Sequence, residues 1–185
     1  MGAMATSRPL KTVDDFMALG DQVRAELIAG EIYMSPSPSS QHQSIAGNLY
    51  VALRGAARRA RGEAVFIAPL DVHLPSGDIV QPDVLFVSAQ RRGIVQEWIR
   101  GAPDLLIEIV SPSHAERDRI VKRELYARNR VPEYWLVDGT TRTLERFVDD
   151  AGTYTPAGYY REGDTLETPL LPALQLPIVE IFADA

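Results

Sequence analysis

The sequence predicts an α/β (α+β) domain in which a central mixed β-sheet is flanked by helices. Three features predict this class. Apolar residues recur at helical spacing in two segments, several short strand-like runs lie between and after them, and residues 105–110 are almost continuously apolar. Such a run is typical of a central strand with both faces covered. A chain of 185 residues is long enough to bury a core as one domain.

The N-terminal third predicts two helices and a hairpin. A capping-box pattern beginning at Thr12 predicts a short helix over 13–19. Two strand-like runs, 25–28 and 31–35, are separated by an Ala-Gly pair and predict a hairpin. A loop rich in serine and proline then leads into a helix over about 40–61, whose apolar residues share one face.

The middle of the chain predicts three strands. The first two, 65–74 and 79–87, are separated by a Pro-Ser-Gly turn, and Pro82 interrupts the second near its start. A loop or short helix around 90–100 follows. The apolar run 105–110 comes next and is the predicted centre of the sheet.

The C-terminal part predicts one more helix and further strands. A helical pattern covers 115–129, and an apolar strand-like run covers 133–138. Residues 143–148 and 152–160 predict a peripheral hairpin. The tail, 166–182, contains three prolines and is expected to be extended.

Composition excludes several classes of protein. There is no cysteine, and therefore no disulfide, thiolate metal site or cysteine nucleophile. No apolar run approaches the length of about 18 residues that a membrane span needs, and no signal peptide is recognisable, so we expect a cytoplasmic protein. The net charge of −6 argues against coating of nucleic acid through bulk charge.

We expect residues 1–11 to be a tag remnant and a flexible N-terminus, and residues 12–185 to be the domain.

Glu108 is the residue that most needs an explanation, because it interrupts the predicted central strand. A buried carboxylate without a partner costs several kcal/mol or more, so a cation, a metal or a proton must compensate it. An internal salt bridge to an arginine is one alternative. Asp83 heads the preceding apolar strand, and neighbouring strands lie about 4.8 Å apart, so Asp83 and Glu108 are expected to hold one cation together.

Asp104 competes with Asp83 for this role. It shares strand parity with Glu108 but lies four residues away along one strand, about 13 Å, which is too far to share one ion. We therefore favour Asp83 and expect Asp104 to cap the entry to the strand. Ligands that are all oxygen atoms favour magnesium, manganese or calcium over zinc. Mg²⁺ is the ion we expect, with Mn²⁺ as the second choice.

Lys122 is the third candidate. Of the 19 lysine and arginine residues only Lys11 and Lys122 are lysines, which suggests a position where arginine would not serve. In the predicted helix, Asp118, Lys122 and Tyr126 form one stripe, and Val121 and Leu125 are expected beside it on the core side. The alternative is a surface Asp118–Lys122 ion pair.

The pattern of Pro82-Asp83 followed by Glu108 in the next strand resembles the PD-(D/E)XK nuclease superfamily. In its usual pattern a lysine stands two residues after the glutamate, but Val110 occupies that place here. A lysine moved to the following helix is a known variation, and Lys122 fits it. The resemblance implies the restriction-endonuclease-like fold.

The sequence resembles the Uma family of restriction-endonuclease-like domains more closely. The matching segments, spread over roughly 12–140 and near the end of the chain, are 26–32, 35–38 with His42, 81–84, 102–113, Asp118, Lys122, Tyr126, 131–138 and 171–174. Each segment is a weak signal, but their order and spacing together are fairly specific.

The resemblance implies a metal-dependent endonuclease acting on nucleic acid, with DNA the expected substrate. Asp83 and Glu108 would hold the metal and Lys122 would act on the attacking water, while Glu26 would add a further carboxylate. His42, at a helix N-terminus, is expected to donate to a phosphate, although a histidine bonded to backbone is an equal alternative. Gln81 is a weaker candidate for contact with substrate.

Two other functions stay open at this point. The same fold could be a catalytically inactive module that binds nucleic acid or a protein partner, which the acidic charge and Val110 favour. It could also be a metal-dependent phosphoesterase acting on a small substrate, which no residue selects. A homodimer would suit the cleavage of two DNA strands.

Overall fold

The computed structural model describes residues 9–20, 22–58, 63–111 and 117–185, with 117 and 118 described through their backbone alone. The expected tag remnant, the last residues of the predicted helix over 40–61 and the start of the predicted helix over 115–129 fall wholly or largely outside these ranges. None of the helices within them has the length and apolar character that a membrane crossing requires.

The helices and strands follow the predicted order closely. The α-helices are α1 (Val13–Met17), α2 (Ser40–Ala57), α3 (Arg123–Arg128) and α4 (Ile178–Ile181). The strands are β1 (Ala25–Ile28), β2 (Glu31–Met34), β3 (Ala64–Ile67), β4 (Val72–His73), β5 (Ile79–Val80), β6 (Val84–Val87), β7 (Ile99–Arg100), β8 (Leu105–Ile109), β9 (Glu133–Asp138), β10 (Thr143–Asp150), β11 (Thr153–Arg161), β12 (Thr165–Thr168) and β13 (Leu171–Pro177). A 3-10 helix (Ala89–Ile94) lies between β6 and β7, and a π-helical turn (Arg117–Lys122) runs directly into α3.

Six strands form the central mixed sheet, in the order β11-β10-β9-β8-β6-β3. Neighbouring strands are antiparallel except β8 and β9, which are parallel. The predicted class, a mixed sheet flanked by helices, is confirmed. The expectation of a single sheet is wrong, because a second sheet has the order β2-β1-β5-β4-β7, and β12 pairs with β13.

Two prolines explain how the chain moves between the two larger sheets. The predicted strand 65–74 is divided at Pro69 into β3 and β4, and the predicted strand 79–87 is divided at Pro82 into β5 and β6. In each case one part belongs to the central sheet and the other to the second sheet. Proline has no N–H for a strand ladder, so each of these positions ends one ladder and lets the next begin.

The N-terminal elements form as their local sequence predicts. Thr12 and Asp15 complete the capping box of α1. The turn between β1 and β2 needs glycine at position 30, where φ is +76° and an added Cβ would lie 2.8 Å from the side chain of Leu10. The backbone N–H of Lys11 donates to the Gly30 carbonyl at 2.7 Å, which holds the chain before α1 against the hairpin.

The tail is extended as predicted over β12 and β13, but the two strands pair and a short helix follows them. It makes the β12–β13 hairpin and then α4, and this unit packs with α2 on one face of the central sheet. The other face is covered by α3 and residues of the second sheet. Successive residues of a strand face opposite sides, so Ile107 of β8 faces α2 while Leu106 and Glu108 face the layer that contains α3.

Candidate active site

Glu108 is buried in the layer between the central sheet and α3, with 3% of its surface exposed. Its Oε1 accepts a hydrogen bond of 2.5 Å from the Tyr126 hydroxyl and lies 3.0 Å from Nζ of Lys122. The predicted need for a compensating cation is therefore met by a lysine. Among the described residues, the salt bridge that Glu108 makes is with this lysine and not with an arginine.

Lys122 connects carboxylates from the two larger sheets. Its Nζ lies 2.9 Å from Oε1 of Glu26 on β1, in addition to its contact with Glu108. Lys122 and Glu26 are 3% and 2% exposed. The backbone N–H of Gln81 donates to the same Glu26 oxygen at 2.9 Å. Lys122 is therefore not a surface residue, because its ammonium is buried between two acidic side chains. The side chain of Asp118, the partner considered for a surface ion pair, lies outside the described residues.

The π-helical turn explains how Lys122 reaches this position. A π-helix bonds residue i to i+5 and so takes about one more residue per turn than an α-helix. The expectation that Val121 faces the core is wrong for this reason, since Val121 is 38% exposed while Lys122, Leu125 and Tyr126 are buried. The turn shifts the phase of the helix by about one residue and brings the lysine itself to the packed side.

Asp83 approaches the same place from the neighbouring strand. It directly precedes β6, and extending the Val84–Ile107 pairing by one residue sets it opposite Glu108. Its Oδ2 accepts from the Ile109 N–H at 2.7 Å and lies 3.2 Å from Nε2 of His42. No described residue donates a hydrogen bond to the other oxygen, Oδ1.

Asp104 has a different environment. Its Oδ2 accepts from the Ser88 N–H at 2.7 Å, and its Oδ1 lies 3.4 Å from Nε of Arg91. These contacts tie the end of β6 to the start of β8. They agree with the expectation that Asp104 has a structural role at the strand entry.

A cavity of about 360 Å³ brings the candidate residues together. Its lining includes all six residues selected from the sequence: Glu26, His42, Gln81, Asp83, Glu108 and Lys122. They come from β1, the first turn of α2, the segment before β6, β8 and the end of the π-helical turn. The fold therefore gathers the residues selected from the sequence at one place, and their chemical roles stay predictions.

His42 and Gln81 are held by neighbours at the edge of the site. Ser39 caps α2 by accepting from the His42 backbone N–H at 3.2 Å. The His42 ring meets Asp83, so it is not a histidine bonded only to backbone. The Gln81 side-chain amide donates to Asp71 Oδ1 at 2.8 Å, and its backbone N–H donates to Glu26. Gln81 therefore contacts Glu26 through its backbone and not through its side chain.

Tyr126 contributes a contact that the sequence did not reveal. Burial, and then the negative charges of Glu108 and Glu26, raise the pKa of its hydroxyl well above the usual value of 10.0. The hydroxyl is consequently protonated at neutral pH and donates to Glu108. Its position four residues after Lys122 was visible, but the identity of its acceptor depends on the packing of α3 against β8.

Arg24 also lines the cavity and was missed. It precedes β1, and its carbonyl accepts from the Ser35 N–H at 2.9 Å, which continues the β1–β2 pairing by one residue. Residues two apart in a strand point to the same side, so Arg24 and Glu26 share a face. That parity was the signal that could have identified Arg24.

The donor set fits a hard divalent cation. Mg²⁺ is usually held by one or two carboxylates and completed by water and substrate phosphate oxygens, and Asp83 and Glu108 supply such a pair with Asp83 Oδ1 unbonded among the described residues. Within those residues no group of three or more His, Cys, Asp or Glu side chains forms a ready-made metal cage. Glu26, whose Oε1 is occupied by Lys122 and Gln81, is a third candidate ligand.

The mixed central sheet, with acidic residues from two adjacent strands beside a lysine, agrees with the restriction-endonuclease-like α/β fold that the resemblance implies. The chain belongs to the Uma2 family, whose model carries the description "Putative restriction endonuclease" and matches residues 13–179. This confirms the resemblance seen in the sequence.

The chain is also similar to a solved structure described as a putative nuclease belonging to DUF820 from Anabaena variabilis ATCC 29413. The TM-score is 0.79 at 19% sequence identity, over 93% of this chain and 97% of the other. At this identity the likeness supports the fold. No curated protein matches the chain in a sequence comparison.

Proposed function

We propose that the protein is a Mg²⁺-dependent endonuclease that hydrolyses phosphodiester bonds of DNA. The observation that carries the proposal is the contact of 3.0 Å between the buried Lys122 ammonium and Glu108, in a cavity that Asp83 also lines. A buried ammonium and carboxylates that converge at an open cavity suit chemistry on a bound phosphodiester. Membership of the Uma2 family supports the same function.

Each residue has a role that its contacts suit. Asp83 and Glu108, with Glu26 as a third carboxylate, would hold the ion. Mg²⁺, when bound, supplies an acidified water and neutralises phosphate charge. The Lys122 ammonium is positioned to orient the attacking water or stabilise charge that develops on the phosphate.

His42 and Tyr126 act beside these groups. His42 Nε2 is 3.2 Å from Asp83 Oδ2, so a phosphate near Asp83 is within reach of the same ring. Tyr126 holds Glu108 by a hydrogen bond of 2.5 Å and keeps its proton. It is a positioning residue, because its hydroxyl acts through Glu108.

Cleavage of supercoiled plasmid and of labelled duplex oligonucleotides tests the proposal. We expect cleavage with Mg²⁺ or Mn²⁺, none with EDTA, and loss of at least about 100-fold in Asp83→Asn, the range for removal of a key electrostatic group. Calorimetric titration with Mn²⁺ should show weaker binding to Asp83→Asn than to the unmodified chain.

Asp104→Asn is the matched control, since it changes the other Pro-Asp carboxylate, which touches Ser88 and Arg91. It should retain cleavage and metal binding. DNA binding without cleavage under all metal conditions would identify the inactive nucleic-acid-binding module and reject the nuclease. Cleavage that is equal in Asp83→Asn would reject the assignment of the site.

A further inference from the structure

Arg24 is a cation of the candidate site whose donors are unused. Its Nε is buried and has no hydrogen-bond partner, and none of its guanidinium nitrogens bonds to a described residue. A buried donor without an acceptor costs about 1–3 kcal/mol. Two other arginines with restricted exposure, Arg146 and Arg119, are paired with Glu133 and Asp138.

The charges of the cavity indicate what Arg24 is for. Three carboxylates, from Glu26, Asp83 and Glu108, line it, and the Lys122 ammonium is held by two of them. A polyanionic substrate would be repelled by this surface, and the protein as a whole carries a charge of −6. Among the described residues of the lining, Arg24 is the permanent cation that no carboxylate neutralises.

We propose that the Arg24 guanidinium binds a phosphate of the nucleic-acid backbone and so positions the strand over the Asp83–Glu108 pair. A phosphodiester offers two anionic oxygens, and the planar guanidinium fork matches them in two parallel hydrogen bonds. The contact carries no sequence information, because it reads the backbone. This inference rests on the proposed action on nucleic acid and adds the subsite that captures the strand.

The loop beside Arg24 is conformationally restricted. Ser35, Ser37 and Ser39 alternate with prolines along the rim of the same cavity, and the backbone N–H of Ser35 fixes the carbonyl of Arg24. Proline restricts the backbone of this rim. Arg24 therefore lies at the start of β1, next to a loop whose conformational entropy should fall little when nucleic acid binds.

Fluorescence anisotropy with 5′-labelled DNA of two unrelated sequences tests the proposal. Binding is measured in Ca²⁺ at several NaCl concentrations, with gels to verify that the probe stays intact. We expect Arg24→Gln to weaken binding about 10-fold on both sequences and to lower the slope of log Kd against log [NaCl] by about one. Arg24→Lys should keep the slope and lose part of the affinity, since it retains charge without the fork.

Arg92→Gln is the control, because Arg92 is exposed and is not among the residues that line the cavity. It should leave both affinity and slope unchanged. The melting temperature of Arg24→Gln should be similar to that of the unmodified chain, because the substitution removes no protein contact of the guanidinium. If Arg24→Gln does not fold, the DNA affinities of Arg24→Lys and Arg92→Lys are compared instead.

The outcomes separate this inference from the proposed function. If the unmodified chain binds DNA and Arg24→Gln binds with the same affinity and slope, the phosphate subsite is rejected and the nuclease proposal stands. If the unmodified chain binds no DNA probe, both are rejected. If Arg92→Gln reduces the slope as much as Arg24→Gln, the effect is one of net charge and the subsite is rejected.

Discussion

Replacement of Lys122 by methionine should destabilise the protein strongly. The ammonium lies 2.9 Å from Glu26 and 3.0 Å from Glu108, and all three side chains are almost completely buried. Methionine has a similar length and fills the space of the lysine stem, so the change chiefly removes the charge. Two buried carboxylates are then left without their shared cation.

The magnitude follows from the geometry. At an effective dielectric constant of about 20, two opposite unit charges 3 Å apart attract by roughly 5–6 kcal/mol. Removing the ammonium gives up two such attractions but recovers its desolvation penalty of several kcal/mol. Loss of one partner from a buried ion pair costs about 3–5 kcal/mol, which for a chain of this size lowers Tm by roughly 6–20 °C.

Urea unfolding followed by circular dichroism measures this effect. Lys11→Met is the matched control, because Lys11 is the other lysine and its contact with Asp15 is a solvent-exposed pair 3.8 Å apart; no measurable change is expected there. The double variant Glu26→Gln/Lys122→Met should be more stable than Lys122→Met alone, since one of the two unpaired charges is gone.

The ordering of the three variants decides the outcome. Equal stability of Lys122→Met and the unmodified chain would refute the reasoning, since the lysine would then compensate nothing. A double variant that is less stable than Lys122→Met would contradict the idea that an unpaired carboxylate of Glu26 is what destabilises Lys122→Met.

Three further changes test other parts of the structure. Tyr126→Phe removes the hydrogen bond to Glu108 and should lower the free energy of unfolding by about 1–3 kcal/mol, measured by urea unfolding. Burial lowers the pKa of His73 below its usual 6.5, so the unfolded chain binds a proton more readily and stability should fall as pH drops below about 6.5–7; His73→Gln should flatten this part of a Tm–pH profile. Arg146→Met leaves Glu133 buried without its bidentate partner and should cost about 3–5 kcal/mol, whereas an unchanged Tm would contradict the importance of that pair.

The sequence contained enough information to select the site because burial and charge conflict visibly at Glu108. A glutamate inside an apolar run requires compensation wherever the strand lies, and the scarcity of lysine made Lys122 noticeable. Asp83 followed from the spacing of neighbouring strands, and the structure sets it opposite Glu108. These inferences depend only on the residues of one segment or on the pairing of two neighbouring strands.

Other features could not be predicted because they depend on three-dimensional packing. A helical period cannot anticipate a π-helical turn, so Val121 was assigned to the core and is exposed. Pro82 predicted an interruption, but the break at Pro69 was not predicted, and neither was the change of sheet at both prolines. The alternating pattern of β13 was masked by the prolines of the tail. Arg24 could have been found from strand parity with Glu26, but its unpaired state is visible only in the folded cavity.

The position of the lysine on a helix links formation of the site to the docking of the two larger sheets. A lysine at position 110 would share strand parity with Glu108 and could serve that carboxylate from the same strand. Val110 instead packs against the apolar residues between the central sheet and α3. Lys122 comes from the π-helical turn on the same side of the sheet. From there it reaches Glu26 of the second sheet as well as Glu108 of the central sheet. A helix-borne lysine therefore completes its contacts only when both sheets and α3 have come together, so the charge arrangement that catalysis would need exists only in the fully folded domain.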